Sequence, residues 1–295
     1  MDKMKISDRP PWIRGRVSWD KGFGEVRDIL RGLNLHSVCL EAACPNKGEC
    51  WQGRHVTFLI MGDVCTRGCL FCNIKGGVPD PCDLAEPCNV AEAVRKLEAG
   101  HVVVTSVTRD DLEDRGAGHF VAVAREVKKR TDDVTVEFLI PDLGADEDLL
   151  RKVAFSGVEV IGHNIEMPEA LYPEIRPGAD YRRSLNTLEK LASLRNEGAR
   201  IFVKSSVILG LGESEGDLLR TLEDLRKAGV DIVYLGQYLS PSRRHWPVKK
   251  YYSPDNFRRL GKKAEHMGFG AVCAGPMVRS SYRAGESYRK CKTRG

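Results

Sequence analysis

The chain has 295 residues, 42% of them hydrophobic, with 46 basic and 41 acidic side chains and a net charge of +5. That length is ample for one large domain or two ordinary ones around a substantial core, and so even a charge balance argues against a nucleic-acid partner. No apolar run approaches the ~18 residues of a membrane helix and no charged-then-apolar leader opens the sequence, so a soluble protein with no membrane partner is expected; ten cysteines without a secretion signal point to a reducing cytoplasm and metal ligation over disulfides.

Residues 1–54 lack regular alternation and read as an N-terminal extension. From about residue 55, short β-branched runs alternate with longer amphipathic stretches, the pattern of βα units around a parallel sheet. Strands are expected at 56–61, 102–107, 134–140, 158–164, 201–209 and 232–237, and helices at 89–98, 119–130, 147–154, 184–195 and 214–227. Val90, Val94 and Leu97 mark one apolar helical face, and Leu218, Leu222 and Leu225 another. Six units are too few for a closed eightfold barrel. The expected α/β fold is therefore an open partial (β/α)6 TIM-like barrel over 55–270, followed by a helix after Pro254 and a C-terminal segment, 271–295, folding over the mouth. Such barrels gather functional side chains at the C-terminal ends of their strands, where Thr105-Ser106, His163-Asn164-Ile165-Glu166 and Gln237 fall.

The loop after the first strand reads Cys65-Thr66-Arg67-Gly68-Cys69-Leu70-Phe71-Cys72, a C-x3-C-x2-C spacing. A cubane iron–sulfur cluster normally takes four thiolates, so a loop offering three can hold it and leave one iron open to a ligand. A structural zinc site would want a second cysteine pair downstream, and the five-residue gap between Cys82 and Cys88 is wrong for one. Upstream, Cys39, Cys44 and Cys50 form a C-x4-C-x5-C set, which reads either as a second metal centre or as buried small hydrophobes.

The C-x3-C-x2-C loop, with Phe71 before its last cysteine, resembles the radical S-adenosylmethionine (SAM) enzymes. Both triads together, with Arg279-Ser280-Ser281-Tyr282, resemble one family, lipoyl synthase. The resemblance runs from Arg9-Pro10-Pro11-Trp12 through Thr105-Ser106-Val107-Thr108-Arg109-Asp110-Asp111-Leu112 and Leu209-Gly210-Leu211-Gly212-Glu213 to that last motif. It implies two 4Fe-4S clusters. Cys65, Cys69 and Cys72 would ligate one, with SAM on its open iron generating a 5′-deoxyadenosyl radical. Cys39, Cys44, Cys50 and Ser281 would hold an auxiliary cluster, consumed as sulfur enters C6 and C8 of a protein-bound octanoyl chain. The expected catalytic set is Cys65, Cys69, Cys72 and Ser281, and Thr105, Asn164, Glu166 and Glu213 would contact SAM. Implied partners are an octanoylated lipoyl carrier protein or domain, an electron donor and an iron–sulfur assembly or carrier protein. Two departures stand out: Asp114-Arg115-Gly116 replaces the usual Asp-Gly-Gly, and Arg283 stands where many members have His.

Other sulfur-inserting relatives of the superfamily, biotin synthases and methylthiotransferases, lack the second triad and the serine motif. An electron carrier or zinc module would need far fewer residues. Cys82, Cys88, Cys273 and Cys291 have no place in the pattern, and no histidine is assigned catalysis. The basic ends (Arg9, Arg14, Arg16; Arg279, Arg283, Arg289, Lys290, Lys292, Arg294) could steer an acidic carrier.

Overall fold

A computed structural model describes residues 9–13, 21–131 and 133–293; Arg14, Arg16 and Arg294 of the basic ends lie outside the described residues. Helix α1 (Lys21–Gly32), strand β1 (His36–Ser37) and helices α2 (Val38–Glu41) and α3 (Lys47–Gln52) form the N-terminal part. Strand β2 (Thr57–Ile60) then leads to the short pair β3 (Val64–Cys65) and β4 (Lys75–Gly76). Five further units follow as α4 (Glu86–Leu97), β5 (His101–Ser106), α5 (Ala117–Arg130), β6 (Thr135–Leu139), α6 (Glu147–Ala154), β7 (Val160–Gly162), α7 (Tyr172–Ile175), α8 (Tyr181–Ser193), β8 (Phe202–Leu209), α9 (Glu215–Lys227) and β9 (Ile232–Gln237). The chain continues through α10 (Pro254–His266), β10 (Ala271–Gly275) and α11 (Ala284–Lys292).

The main sheet has the order β1-β2-β5-β6-β7-β8-β9-β10. All its pairings are parallel except the β1–β2 edge, where His36 faces Leu59 and Ser37 faces Phe58. The sheet is not closed, since β1 and β10 are its two ends. The six expected strands are present in that order, and the sheet extends past them by β10 and by the two-residue β1. Continuous apolar runs suit strands covered on both faces, and β2 and β9 are buried throughout.

Local signals stop and start the helices. Ser214 with Asp217 and Ser253 with Asn256 form capping boxes on α9 and α10, and Asp146 and Asp180 cap α6 and α8 through the backbone N–H of Leu149 and Arg183. Outside the sheet, Phe120 of α5 meets Phe138 of β6 with ring centroids 5.0 Å apart. In the extension, fully buried Trp51 packs on Phe23 at 5.0 Å, anchoring α3 to α1.

A charged cluster is buried among the strands. Lys204 Nζ lies 2.6 Å from Glu137 Oε1 and 4.1 Å from the centroid of the Tyr234 ring, while His101 Nε2 is 3.2 Å from Glu137 Oε2. Burial pushes the Glu137 carboxyl up, and the Lys204 charge overrides it, so the group sits below its ordinary range. Above the cluster, the Tyr234 hydroxyl donates to Ser287 of α11 at 2.7 Å. Removing one partner of a buried pair leaves an uncompensated charge, whereas replacing both with apolar groups can be neutral. Lys204→Met is accordingly expected to cost about 3–5 kcal/mol in urea unfolding, and Lys204→Met with Glu137→Leu to recover most of that loss.

Candidate functional site

The Cys65–Cys72 loop opens from the C-terminal end of β2, and its two ends are stitched by the β3–β4 pair, Val64 against Lys75 and Cys65 against Gly76. The backbone N–H groups of Arg67 and Thr108 both point at Cys65 Sγ, at 3.4 Å. Leu70 N–H donates to Ile175 O of α7 at 2.9 Å. Burial raises the thiol of Cys69 and pushes that of Cys72 up to about 12, and the charges of Cys65, Cys69 and Glu166 reach Cys72.

The loop's conformation is held by Arg67. Its guanidinium grips Asp110 through Nε and Nη2 at 2.8 and 2.9 Å, and Asp142 through Nη1 and Nη2 at the same two distances. Asp110 also receives Arg115 Nη1 at 2.9 Å, and Asp142 receives Arg183 Nε at 2.9 Å. Arg115, the departure noted above, takes the left-handed conformation that glycine favours, with φ 51°. For a side-chain residue that costs roughly 1–2 kcal/mol, of which the part-exposed ion pair with Asp110 returns only a part. The acidic run beside it is thus spent on structure. Asp111 pairs with buried Arg109, and Asp114 accepts the N–H groups of Gly116 and Gly118.

At the end of β7, Asn164 Nδ2 donates to Glu166 Oε1 at 3.0 Å, and Glu166 occupies the left-handed region at φ 66° while bridging Val207. Burial raises the Glu166 carboxyl against the opposing charge of Arg176. Arg176 donates to Asn164 O at 3.2 Å and to the Tyr172 hydroxyl at 2.8 Å, and its charge also reaches Cys69. Asn164, Glu166 and Arg176 therefore stand beside the Cys loop. The other expected SAM contacts are engaged within the protein. Thr105 Oγ1 donates to Leu139 O at 2.8 Å, and the Glu213 carboxylate accepts the N–H groups of Gly210, Leu211 and Gly212 at 2.7, 2.9 and 3.1 Å. Gln237 is likewise committed, donating to Leu209 O and Lys250 O and accepting from Tyr252 N–H.

The second triad sits on α2, the turn after it and α3. Cys44 and Cys50 each feel the charge of Cys39, and burial raises Cys44 and pushes Cys50 up to about 12. Against this triad lies the Arg279–Arg283 stretch. Asn46 Nδ2 donates to Met277 O at 2.6 Å, Thr57 Oγ1 donates to Ser281 Oγ at 2.8 Å, and the Tyr282 hydroxyl donates to Glu49 Oε1 at 2.9 Å. Arg283 approaches the same Glu49 at 3.7 Å, and the charges of Arg279 and Arg283 reach Cys44 and Cys50 respectively. Ser37, whose hydroxyl donates to Thr57 O, accepts Cys39 N–H, so one short chain of hydrogen bonds runs from Ser281 to the first cysteine of the triad. The two triads are linked by Asn73, which donates to Glu41 O at 2.6 Å.

The donor chemistry suits iron–sulfur clusters and a polar cosubstrate. Within each triad the thiols interact electrostatically, yet among the described residues no three His, Cys, Asp or Glu groups converge on one metal ion; a cubane instead takes its thiolates at separate corners. Ionising the raised thiols needs the metal, so loading releases protons. Five buried side-chain atoms have no hydrogen-bond partner among the described residues, and three belong at this mouth: Ser106 Oγ, His163 Nε2 and Arg176 Nε. A polar ligand there would satisfy donors and acceptors that are otherwise expensive to leave unmade. The sequence reading missed Arg67, Asp142, Arg176, Glu49 and Thr57; only Arg67 carried a signal, a cation fixed between two presumed cluster ligands.

Residues 59–225 match the family model of the Radical SAM superfamily. Among solved structures, the chain is similar to methylornithine synthase (PylB), with 15% identity, 86% of this chain and 82% of that one covered, and a TM-score of 0.56. It is similar to the FeFe-hydrogenase maturase HydG from Carboxydothermus hydrogenoformans at 13% identity, 91% and 69% coverage and a TM-score of 0.58. Streptococcus suis SuiB bound to S-adenosylmethionine gives 12%, 77%, 53% and 0.56 in the same order, so the chain spans about half of that protein. At such identities the likeness is one of fold.

His163 is 1% exposed, and burial pushes its imidazole down to about 4 from 6.5. The unfolded chain then takes up the proton first, so this residue's contribution to stability is fully present above pH 6.5 and is lost as pH falls toward 4. His163→Gln should flatten the stability profile over that window by roughly 2–3 kcal/mol, measured by denaturant unfolding at successive pH values.

Proposed function

The chain belongs to the radical SAM superfamily, and we propose that within it the protein acts as a lipoyl synthase, inserting two sulfur atoms at C6 and C8 of a protein-bound octanoyl group. The observation that carries this reading is the seating of Ser281 and Tyr282 against the Cys39, Cys44 and Cys50 segment, through Thr57 at 2.8 Å and Glu49 at 2.9 Å. A radical SAM enzyme needs only its C-x3-C-x2-C loop for reductive SAM cleavage. Three further thiols with an oxygen donor brought in from a distant part of the chain suit a second, sacrificial centre.

When bound, a 4Fe-4S cluster with SAM supplies hydrogen abstraction from unactivated C–H bonds, and an auxiliary 4Fe-4S cluster supplies the sulfur. Cys65, Cys69 and Cys72 would hold the first, and Cys39, Cys44, Cys50 and Ser281 the second. Asn164, Glu166 and Arg176 would orient the cosubstrate, filling the hydrogen-bonding capacity of Arg176 Nε. Thr57, 2.8 Å from Ser281 Oγ, would hold that serine in place beside the triad. A serine oxygen is a poorer match than thiolate for iron in a sulfide cluster, which suits an iron that must be released as sulfur leaves. Arg67 keeps the first loop in shape, and the substrate would come as an octanoylated carrier protein or domain.

Anaerobically reconstituted protein should hold about eight irons per chain with negligible zinc; about half that value would sink the two-cluster reading. Changing Cys65, Cys69 and Cys72 to Ala should abolish 5′-deoxyadenosine formation. The same change at Cys39, Cys44 and Cys50 should leave SAM cleavage intact and end lipoyl formation, and lipoyl product from that variant would exclude the second triad as sulfur source. Ser281→Ala should separate the two activities in the same way, while Ser281→Cys should retain iron and slow sulfur insertion, both read by mass spectrometry of the modified lysine.

A further inference from the structure

Residues 239–253, between β9 and α10, contain Arg243, Arg244, His245, Lys249 and Lys250 and no acidic side chain. Several exposed cations elsewhere are tied: Arg259 and Lys263 to Glu215, Arg182 to Glu169, Arg220 to Asp217, Lys290 to Glu265 and Arg283 to Glu49. Arg243, Arg244, Lys249 and Lys250 are all exposed, and among the described residues none forms an ion pair. The basic C-terminal stretch is thus partly neutralised, whereas this loop gathers four unpaired cations with no acidic side chain among them.

The loop is also braced, and against the mouth. Trp246 N–H donates to Leu70 O inside the Cys65–Cys72 loop at 2.8 Å, and its indole Nε1 donates to Leu211 O at 2.8 Å. The Tyr238 hydroxyl donates to Trp246 O at 2.7 Å, Lys249 N–H to Gly210 O at 2.8 Å and Gln237 Nε2 to Lys250 O at 2.9 Å. The two lysine ammoniums lie over aromatic rings, Lys249 at 5.3 Å from Trp246 and Lys250 at 4.6 Å from Tyr252. Four unpaired charges are therefore held on a preorganised lip beside the expected cluster loop, at little ordering cost on binding.

We propose that this lip is the docking rim for an acidic face of the folded carrier protein that presents the octanoyl chain, an inference that rests on the reaction proposed above. A nucleic acid fits less well. The flanking helices α9 and α10 have their nearby cations paired with Asp217 and Glu215, so the lip does not continue into the stripe a phosphate backbone would follow. Charges on a rim set encounter rate and salt dependence more than chemistry.

The test uses the reconstituted full chain with two substrates, an octanoylated carrier domain and a short octanoyl-lysine peptide lacking acidic residues. Reversing Arg243, Arg244, Lys249 and Lys250 to Glu should raise KM for the carrier at least about tenfold, with kcat and all constants for the peptide within about twofold. Carrier affinity by interferometry should fall by the same factor, and the salt dependence seen with the wild type should reverse in sign, because salt now screens a repulsion. Neutralisation of the same four residues to Gln should fall between the two. Equal losses on both substrates, an unchanged carrier KM, or binding of an oligonucleotide that depends on the loop while carrier binding does not, would each overturn the proposal. If wild-type enzyme gives lipoyl product from neither substrate, the proposed reaction fails, and the interferometry still decides whether this loop binds the carrier.

Discussion

Arg67 is one guanidinium shared between two carboxylates, and the shape of the barrel mouth depends on that sharing. Asp110 stands on the loop after β5, Asp142 on the loop after β6, and Arg183, which completes the set, on α8. Burial pushes Asp142 up, yet hydrogen bonds from Arg67 with the neighbouring positive charges leave it well below the usual carboxylate range. A close pair at the effective dielectric of such a site is worth on the order of 4 kcal/mol before desolvation, and bidentate geometry adds direction to strength. Cys65 and Cys69 flank this residue in the chain, so Arg67, together with the β3–β4 pair and the Leu70–Ile175 bond, turns the spacing of the cysteines in sequence into a spacing in space.

The second triad depends on a tie of another kind. Among the described residues it has no comparable ion network of its own, and its neighbours include a tyrosine, a serine and two arginines delivered from the far end of the sheet. The delivery is enforced by packing. Gly236 of β9 lies so close to the Val278 carbonyl that a β-carbon there would collide with it, and the Tyr234 hydroxyl holds Ser287 over the Lys204–Glu137 pair. The buried charges and the position of Ser281 are thus parts of one arrangement, joined through α11.

Much of this was legible in the sequence because parallel strands covered on both faces give uninterrupted apolar runs, and helices with one wet face repeat at 3.6 residues. All six strands and five of the six helices between them were found on those signals; the four-residue α7 (Tyr172–Ile175) was too short to show a period. Strand β10 escaped because Ala271-Val272-Cys273-Ala274-Gly275 is built of small residues with one β-branched side chain, and β1 because two residues have no period. Polar residues at strand ends correctly pointed to the mouth, but polarity cannot say with whom a side chain will bond. Thr105 and Glu213 turned to backbone groups, whereas Asn164 and Glu166 turned to each other beside the Cys loop. The reach of Arg176 to Asn164 and Cys69 and the Tyr282–Glu49 bond are products of tertiary folding with no local trace.

The hydrogen bond from Thr57 to Ser281 spans 224 positions of the chain. A ribosome makes the second triad well before the serine, so over the synthesis of the intervening residues the three cysteines on α2, the turn after it and α3 wait for the stretch that packs across from them, while the residues that shape the Cys65 loop, through Arg183, are made sooner. Completion of the N-terminal part therefore waits until the 277–282 stretch has been made, and a chain stopped before residue 277 would present those thiols open on one side.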